Sequence, residues 1–85
     1  MLTQILPLEL LAAGELACIC DVAGSQELVH RLAEMGLREG VQVRMIQPGR
    51  PCIIAVANHR LSFRGEESAF IMVETGRKLH VAESA

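Results

Sequence analysis

The sequence has 85 residues, which is enough for one domain and too few for two. Its 8 Lys and Arg against 10 Asp and Glu leave a formal net charge of -2, which argues against a partner bound through a nucleic-acid phosphate backbone. Hydrophobic residues make up 51% of the chain but aromatic residues only 2%, so the core must be aliphatic, and β-branched aliphatic side chains favour a sheet.

The sequence also bears on the compartment. No stretch reaches the roughly 18 unbroken apolar residues that a membrane-spanning helix needs, and residues 1–11 lack the basic start of a signal peptide. The three cysteines, Cys18, Cys20 and Cys52, are an odd number and do not suggest a disulfide framework. We therefore expect a cytoplasmic protein that does not insert into the membrane.

The first elements in chain order are a helical turn and a strand. Pro7 can open a turn over residues 7–13, because its fixed φ suits the first helical position, and Gly14 ends that turn. Residues 15–22 alternate as a strand does, with Cys18 and Cys20 on the face away from the core.

The next segment is the best helix candidate. Ser25 can cap it, and Gly36 with Leu37 can end it through a left-handed residue and a hydrophobic contact. Its apolar residues recur at spacings of three and four, as on one face of a helix. They are Leu28, Val29, Leu32 and Met35.

The second half of the chain alternates with a period of two. Strands are predicted over residues 41–45, 52–57, 60–64 and 69–73, with a proline-rich turn over residues 48–51. Asn58 and His59 are predicted to form a tight hairpin turn, in which we expect Asn58 to take a positive φ. Five short strands and one short helix predict a mainly β domain over residues 1–74, a small and partly open five-stranded barrel, followed by a frayed tail over residues 75–85.

Several runs of residues resemble one known family. The run Arg-Leu-Ala-Glu-Met-Gly-Leu-Arg-Glu-Gly-Val-Gln-Val at residues 31–43 is similar to the central signature of FeoA proteins, which are ferrous iron transport adaptors. Matching pieces follow in order at residues 54–56 and 61–64, then at Ala69, Ile71 and Val73. Asn58 stands where the family more often has glycine. The resemblance implies an SH3-like small barrel that acts in the cytoplasm with FeoB, a membrane ferrous-iron permease with a GTP-binding domain.

The expected function is accordingly that of a cytosolic adaptor or regulator of ferrous iron uptake, and not that of an enzyme. The chain has no His-Glu-x-x-His, no glycine-rich phosphate loop and no Gly-x-Ser-x-Gly elbow, and His30, His59 and His80 are scattered. Two alternatives stay open. The same module occurs in metal-responsive transcriptional regulators, and small barrels also bind nucleic acids, for which Phe70 would be the only aromatic platform if Phe63 points inward.

Cys18 and Cys20 are the candidate metal ligands. Their spacing along a strand puts both thiols on one face, where they could bind a soft metal together. A closed structural site needs four ligands, and the other two are not apparent. We expect packing roles for these cysteines and no cofactor, with weak Fe²⁺ or Zn²⁺ binding as the alternative.

Two groups of residues are candidates for binding a partner through charge or at a helix end. If Val43, Leu61 and Phe63 point inward, then Arg44, Arg60 and Arg64 point outward and could dock an acidic surface. Met35 and Leu37 beside Gly36 either close the helix end or line a groove for a partner segment.

A third group is apolar. Strand parity places Ile53, Phe70 and Met72 on the outer face, because their neighbours along the strands are expected in the core. An exposed apolar patch usually has a cover. The cover could be the tail, a second copy of the chain in a homo-oligomer, or the permease.

Overall fold

The computed structural model describes residues 3–76, which form six strands, one α-helix and two short 3-10 helices. In chain order the elements are β1 (Gln4–Pro7), a 3-10 helix (Leu8–Leu10), β2 (Leu16–Val22), α1 (Gln26–Glu34), β3 (Gln42–Gln47), β4 (Cys52–Val56), β5 (His59–Phe63), a second 3-10 helix (Glu67–Phe70) and β6 (Ile71–Thr75).

The strands form a single antiparallel sheet in the order β1-β6-β2-β3-β4-β5. The predicted mainly β fold with one short helix is confirmed. The sheet is not closed, because no pairing joins β1 to β5 within residues 3–76. The same part of the chain contains no helix long and apolar enough to cross a membrane.

One face of the sheet carries the core, and the predicted alternation along the strands is confirmed. Ala17 and Ile19 of β2 are buried, whereas Cys18 between them is exposed. The same alternation runs through the other long strands. The buried hydrophobic residues are Leu8, Leu11, Ala17, Ile19, Leu32, Leu37, Val43, Met45, Cys52, Ile54, Val56, Phe63, Ile71 and Val73.

Helix α1 begins and ends as the sequence predicts. The Ser25 hydroxyl accepts a hydrogen bond from the Leu28 N–H at 3.1 Å. At the other end Gly36 has φ 92°, the Gly36 N–H donates to the Ala33 carbonyl, and the Leu37 N–H donates to the Leu32 carbonyl. This pair of bonds is the Schellman motif, in which the residue after the glycine packs back onto the helix.

Of the two roles left open for Met35 and Leu37, that motif fits the closing of the helix end. Leu37 is 1% exposed and lies in the core, because the cap turns its side chain inward. Met35 stays half-buried against the core.

The count of five strands was wrong, because β1 is a sixth. β1 pairs with the edge of β6, and Leu6 lies opposite Val73. Its four residues end in proline, and its burial rises along the strand without alternating, so it carries no period of two.

The last strand also differs from the prediction of residues 69–73. Residues Glu67–Phe70 form a 3-10 helix and β6 runs over Ile71–Thr75, one residue beyond the predicted domain end at residue 74. Phe70 is therefore not a strand residue. The predicted tail lies outside the described residues from residue 77 onward.

The hairpin between β4 and β5 has a two-residue turn, but it lies one residue earlier than the predicted turn of Asn58 and His59, and the residue with positive φ also differs. Val56 lies opposite His59, so residues 57 and 58 form the turn. Ala57 has φ 53°, and Asn58 is not among the described residues with positive φ. A hairpin turn of type II′ needs a positive φ only at its first central residue, and Asn58 occupies the second.

Candidate functional site

The register of the sheet brings two of the predicted arginines into one row. Leu16 lies opposite Arg44, Arg44 lies opposite Ala55, and Ala55 lies opposite Arg60. The four residues therefore form a straight line across β2, β3, β4 and β5 on the outer face. Because neighbouring strands are about 4.8 Å apart, Arg44 and Arg60 are separated by roughly 10 Å, with Ala55 between them.

This row lies in a shallow depression of about 530 Å³. Its lining residues are Leu16, Gln42, Val43, Arg44, Ile46, Ala55, Ala57 and Arg60. We call this surface the arginine row. Leu16 is 46% exposed, and Ile46 and Ala55 are half-buried, so the floor between the two guanidinium groups is apolar.

Both arginines of the row are free to bind a ligand. Arg44 and Arg60 are exposed, and within residues 3–76 neither makes an ion pair or a side-chain hydrogen bond. Guanidinium groups bind carboxylates through two parallel hydrogen bonds. The arrangement therefore suits an acidic segment that also carries a small apolar side chain.

Arg64, the third predicted arginine, lies just beyond the end of β5 and is exposed. It is four residues from Arg60, which places it about 13 Å further along the chain. The arginine row and Arg64 thus mark the same side of the hairpin without forming one cluster.

The three apolar residues predicted on the outer face do not form one patch. Met72 pairs with Pro7 and Asp21 around β6, whereas Ile53 pairs with Gln47 and Ser62 around β4. Strands β2 and β3 separate β6 from β4. Ile53 and Met72 are each half-buried, so the predicted contiguous patch was wrong.

Phe70 belongs to a different surface, next to the start of α1. Phe70 is 37% exposed. Its ring and the Leu28 side chain pack closely around Gly24: a Cβ added to that glycine would lie 3.0 Å from Leu28 Cδ2 and 3.7 Å from Phe70 Cδ1. The same hollow is lined by three carboxylates, those of Glu27, Glu66 and Glu67, and by one guanidinium group, that of Arg31. Carboxylates repel phosphates, so this aromatic ring is poorly placed to stack a base.

Met35 and Leu37 are not brought together on an accessible surface. A groove of about 410 Å³ runs beside α1, and Leu37 contributes to its floor while remaining buried. Val22, Val29 and Ala33 provide its half-exposed apolar wall. Asp21, Arg38 and Glu39 border it, so its rim carries both signs of charge.

Cys18 and Cys20 lie on the outer face of β2, as predicted. The Cys20 thiol is half-buried and donates to the Met72 carbonyl at 3.5 Å. Burial and the nearby carboxylates of Glu74 and Asp21 raise the pKa of Cys20, which favours the neutral thiol over the thiolate that binds metals. Within residues 3–76, no three His, Cys, Asp or Glu side chains come together as metal ligands would.

The sequence reasoning missed Leu16 and Ile46 as parts of the site. A signal existed only for the position of Ala55 beside Arg60, since a two-residue turn at residues 57–58 fixes Ala55 opposite Arg60. The partner of Arg44 on β2 could not be found in this way. β2 and β3 are joined through α1, and no short turn sets their register.

Comparison with known proteins identifies a family. Residues 6–75 match the model of the FeoA domain. Among curated proteins, none matches the chain in sequence.

Solved structures give a consistent result. The FeoA protein from Chlorobium tepidum has a TM-score of 0.76 and 28% identity, covering 88% of this chain and 76% of its own. Iron(II) transport protein A from Clostridium thermocellum has a TM-score of 0.75 and 27% identity, and the alignment covers 82% of this chain and 45% of that protein. A manganese-dependent transcriptional repressor has a TM-score of 0.78, and the alignment covers 89% of this chain and 44% of that protein. Its sequence identity is 10%, so this likeness shows the fold alone. The SH3-like fold expected from the resemblance is confirmed.

Proposed function

This chain belongs to the FeoA family, and on that premise we propose that it serves ferrous iron transport as a non-catalytic adaptor in the cytoplasm, binding the cytosolic part of a FeoB-type, GTP-dependent iron permease. The observation that carries the proposal is the match to the FeoA domain over residues 6–75, almost the whole described domain. Iron is the cargo of the permease in this proposal, and the adaptor acts through protein contact.

The arginine row supports a role in protein binding. Arg44 and Arg60 hold two unpaired positive charges on an apolar floor, in a chain whose formal net charge is -2. An isolated positive site on an acidic protein favours an acidic partner and orients the approach to it. We therefore place the permease contact on this surface.

The alternatives raised by the sequence gain less support. Likeness to a manganese-dependent repressor at 10% identity is a likeness of fold. Nucleic-acid binding would need an exposed aromatic in a positive groove, whereas Phe63 is buried and Phe70 lies in a hollow with three glutamates and one arginine.

The test measures binding of the full chain to the purified cytosolic domain of the permease by isothermal titration calorimetry. Arg44→Glu combined with Arg60→Glu should weaken binding at least tenfold, because two attractive charges become repulsive. Arg31→Glu combined with Arg38→Glu, the same total charge change at exposed residues outside the row, is the matched control and should change the affinity less than twofold.

The dependence of the binding affinity on ionic strength provides a second test of the same contact. Binding should weaken as the ionic strength rises, because screening shortens the range of charge attraction. Absence of binding by the unmodified chain would reject the adaptor proposal, and equal effects of the row variant and the control would move the contact elsewhere.

A further inference from the structure

The free edge of β5 is a second feature of the arginine side of the sheet. β5 is the last strand in the sheet order and pairs only with β4 among the described residues. In an antiparallel pair joined by a two-residue turn, the residues that flank the turn form a hydrogen-bonded pair, and hydrogen-bonded and non-hydrogen-bonded pairs then alternate. His59, Leu61 and Phe63 therefore bond to β4, while the N–H and C=O groups of Arg60 and Ser62 point away from it.

Nothing in the described chain covers these groups. Within residues 3–76, no backbone hydrogen bond from another element reaches Arg60 or Ser62. Both residues are exposed, and the half-buried side chain of Leu61 lies between them on the inner face. Four backbone groups that can each make a hydrogen bond thus face outward in a regular row.

The edge lacks the backbone devices that prevent pairing, and its protection is the positive charge of Arg60 and of Arg64 just beyond β5. Proteins protect sheet edges with charged side chains, proline, bulges or very short strands. β1, the opposite edge, is four residues long and ends in Pro7. β5 has no proline, and its register with β4 runs without a shift, whereas the pairings of β2 with β6 and of β3 with β4 are both irregular.

The arginines set the chemistry of a strand that would add here. A strand beside β5 lies about 4.8 Å away, and its side chains alternate between the two faces of the sheet. Positions opposite Arg60 and Arg64 would lie on the outer face, next to two exposed positive charges. The position opposite Leu61 would lie on the inner face, against an apolar side chain that is only half-buried.

We propose that the free edge of β5 binds an extended acidic segment of a partner as a seventh strand, with carboxylates opposite Arg60 and Arg64 and an apolar residue opposite Leu61. Backbone hydrogen bonds to Arg60 and Ser62 supply the affinity, and alternate side chains supply the selectivity. The identification of that partner with the permease rests on the proposed function; the chemistry of the edge does not.

A second copy of the chain fits this edge less well. In two β5 strands paired antiparallel about Leu61, each Arg60 would lie opposite Ser62 of the other copy and diagonal to that copy's Arg60 and Arg64. Long side chains at diagonal positions are within reach of one another, so the repulsion between these guanidinium groups disfavours the pairing. An acidic strand removes this repulsion and converts it into attraction.

The test uses two synthetic peptides with blocked ends, one of alternating Val and Glu and one of alternating Val and Lys, seven residues each as a rough match to the length of β5. Binding to the full chain is followed by chemical-shift changes in two-dimensional NMR. The acidic peptide should bind at least tenfold more tightly than the basic one. The shifted amides should centre on Arg60 and Ser62.

Two variants of Ser62 distinguish the contribution of its backbone N–H to binding from that of its side chain. Ser62→Pro removes an N–H that points away from β4, and proline is tolerated at such positions of an edge strand. Ser62→Ala removes the hydroxyl and keeps the N–H. We expect at least a tenfold loss of acidic-peptide affinity for Ser62→Pro and less than a twofold loss for Ser62→Ala. Arg60→Glu should abolish the preference for the acidic peptide.

Equal binding of the two peptides, or equal affinity of the proline and alanine variants with the fold intact by NMR, overturns the inference. If Ser62→Pro does not fold, the acidic peptide is instead N-methylated, which removes the backbone donors that it offers to the edge. Undiminished binding of the methylated peptide to the unmodified chain overturns the inference as well. The permease domain is titrated separately with Ser62→Pro and Ser62→Ala. Equal binding of both variants removes the edge from the permease contact and leaves the adaptor proposal intact, whereas no binding to the unmodified chain rejects only the adaptor proposal.

Discussion

Ala57 has a φ of 53°, in the left-handed region, at the first position of the β4–β5 turn. That conformation is costly for a residue with a Cβ and free of steric cost for glycine. Ala57→Gly should therefore raise the free energy of unfolding by about 1 kcal/mol in urea denaturation. Ala55→Gly, the same change in the interior of β4, should lower it by about 0.5–1 kcal/mol. A loss of stability in both variants would contradict the turn geometry.

The three cysteines should also differ, residue by residue, in how fast they are alkylated. Cys18 is exposed, whereas burial and the Glu74 and Asp21 carboxylates raise the pKa of Cys20, and burial raises the pKa of Cys52. A raised pKa leaves less thiolate at a given pH, and only the thiolate reacts quickly. Iodoacetamide at mildly alkaline pH should modify Cys18 first, as measured by mass spectrometry, and Cys18→Ser should remove the fast phase. A fast phase that persists in this variant would assign the reactive thiol to another residue.

At the scale of single elements, α1 is held to the sheet chiefly by one residue. Leu32 is the only fully buried side chain of the helix, with Leu28 and Met35 partly buried against the core. Leu32→Ala should lower the free energy of unfolding by about 2–5 kcal/mol, since it removes transfer energy and leaves a cavity. Val29→Ala, on the half-exposed side, should cost under about 1.5 kcal/mol. Similar losses in the two variants would mean that Leu32 is not the anchor.

The elements also show what the sequence could predict. The cap at Ser25 and the end at Gly36 and Leu37 depend on neighbours within six residues, and both were predicted correctly. The burial alternation of β2 to β4 was predicted for the same reason. β1 could not be predicted, because its partner Val73 lies 67 residues from Leu6 and four residues ending in proline carry no period of their own. The arginine row was predicted only as outward-facing residues; its alignment depends on the register between β2 and β3, which no local turn fixes.

At the scale of the whole molecule, the sheet order predicts where the structure opens first. β6 and β2 lie inside the sheet, paired on both sides, whereas β1 and β5 lie at its edges. Native-state hydrogen exchange should be slowest for core amides such as those of Ile19 and Val73. Within β5, the amides of Leu61 and Phe63 should exchange more slowly than those of Arg60 and Ser62, which face away from β4. Uniform exchange along β5 would contradict the assigned hydrogen-bonding pattern.

The pairing of β1 with β6 has a consequence for how this fold can be joined to other sequences. Gln4 lies directly opposite Thr75, so the chain enters and leaves the domain at two neighbouring points, about 5 Å apart as in any antiparallel pair. A unit with adjacent entry and exit points can be inserted into a loop of a host protein, or fused at either end, without stretching its sheet. The domain can therefore be combined with other domains in one chain. The same fold occurs in the manganese-dependent repressor, where the match covers 44% of that chain.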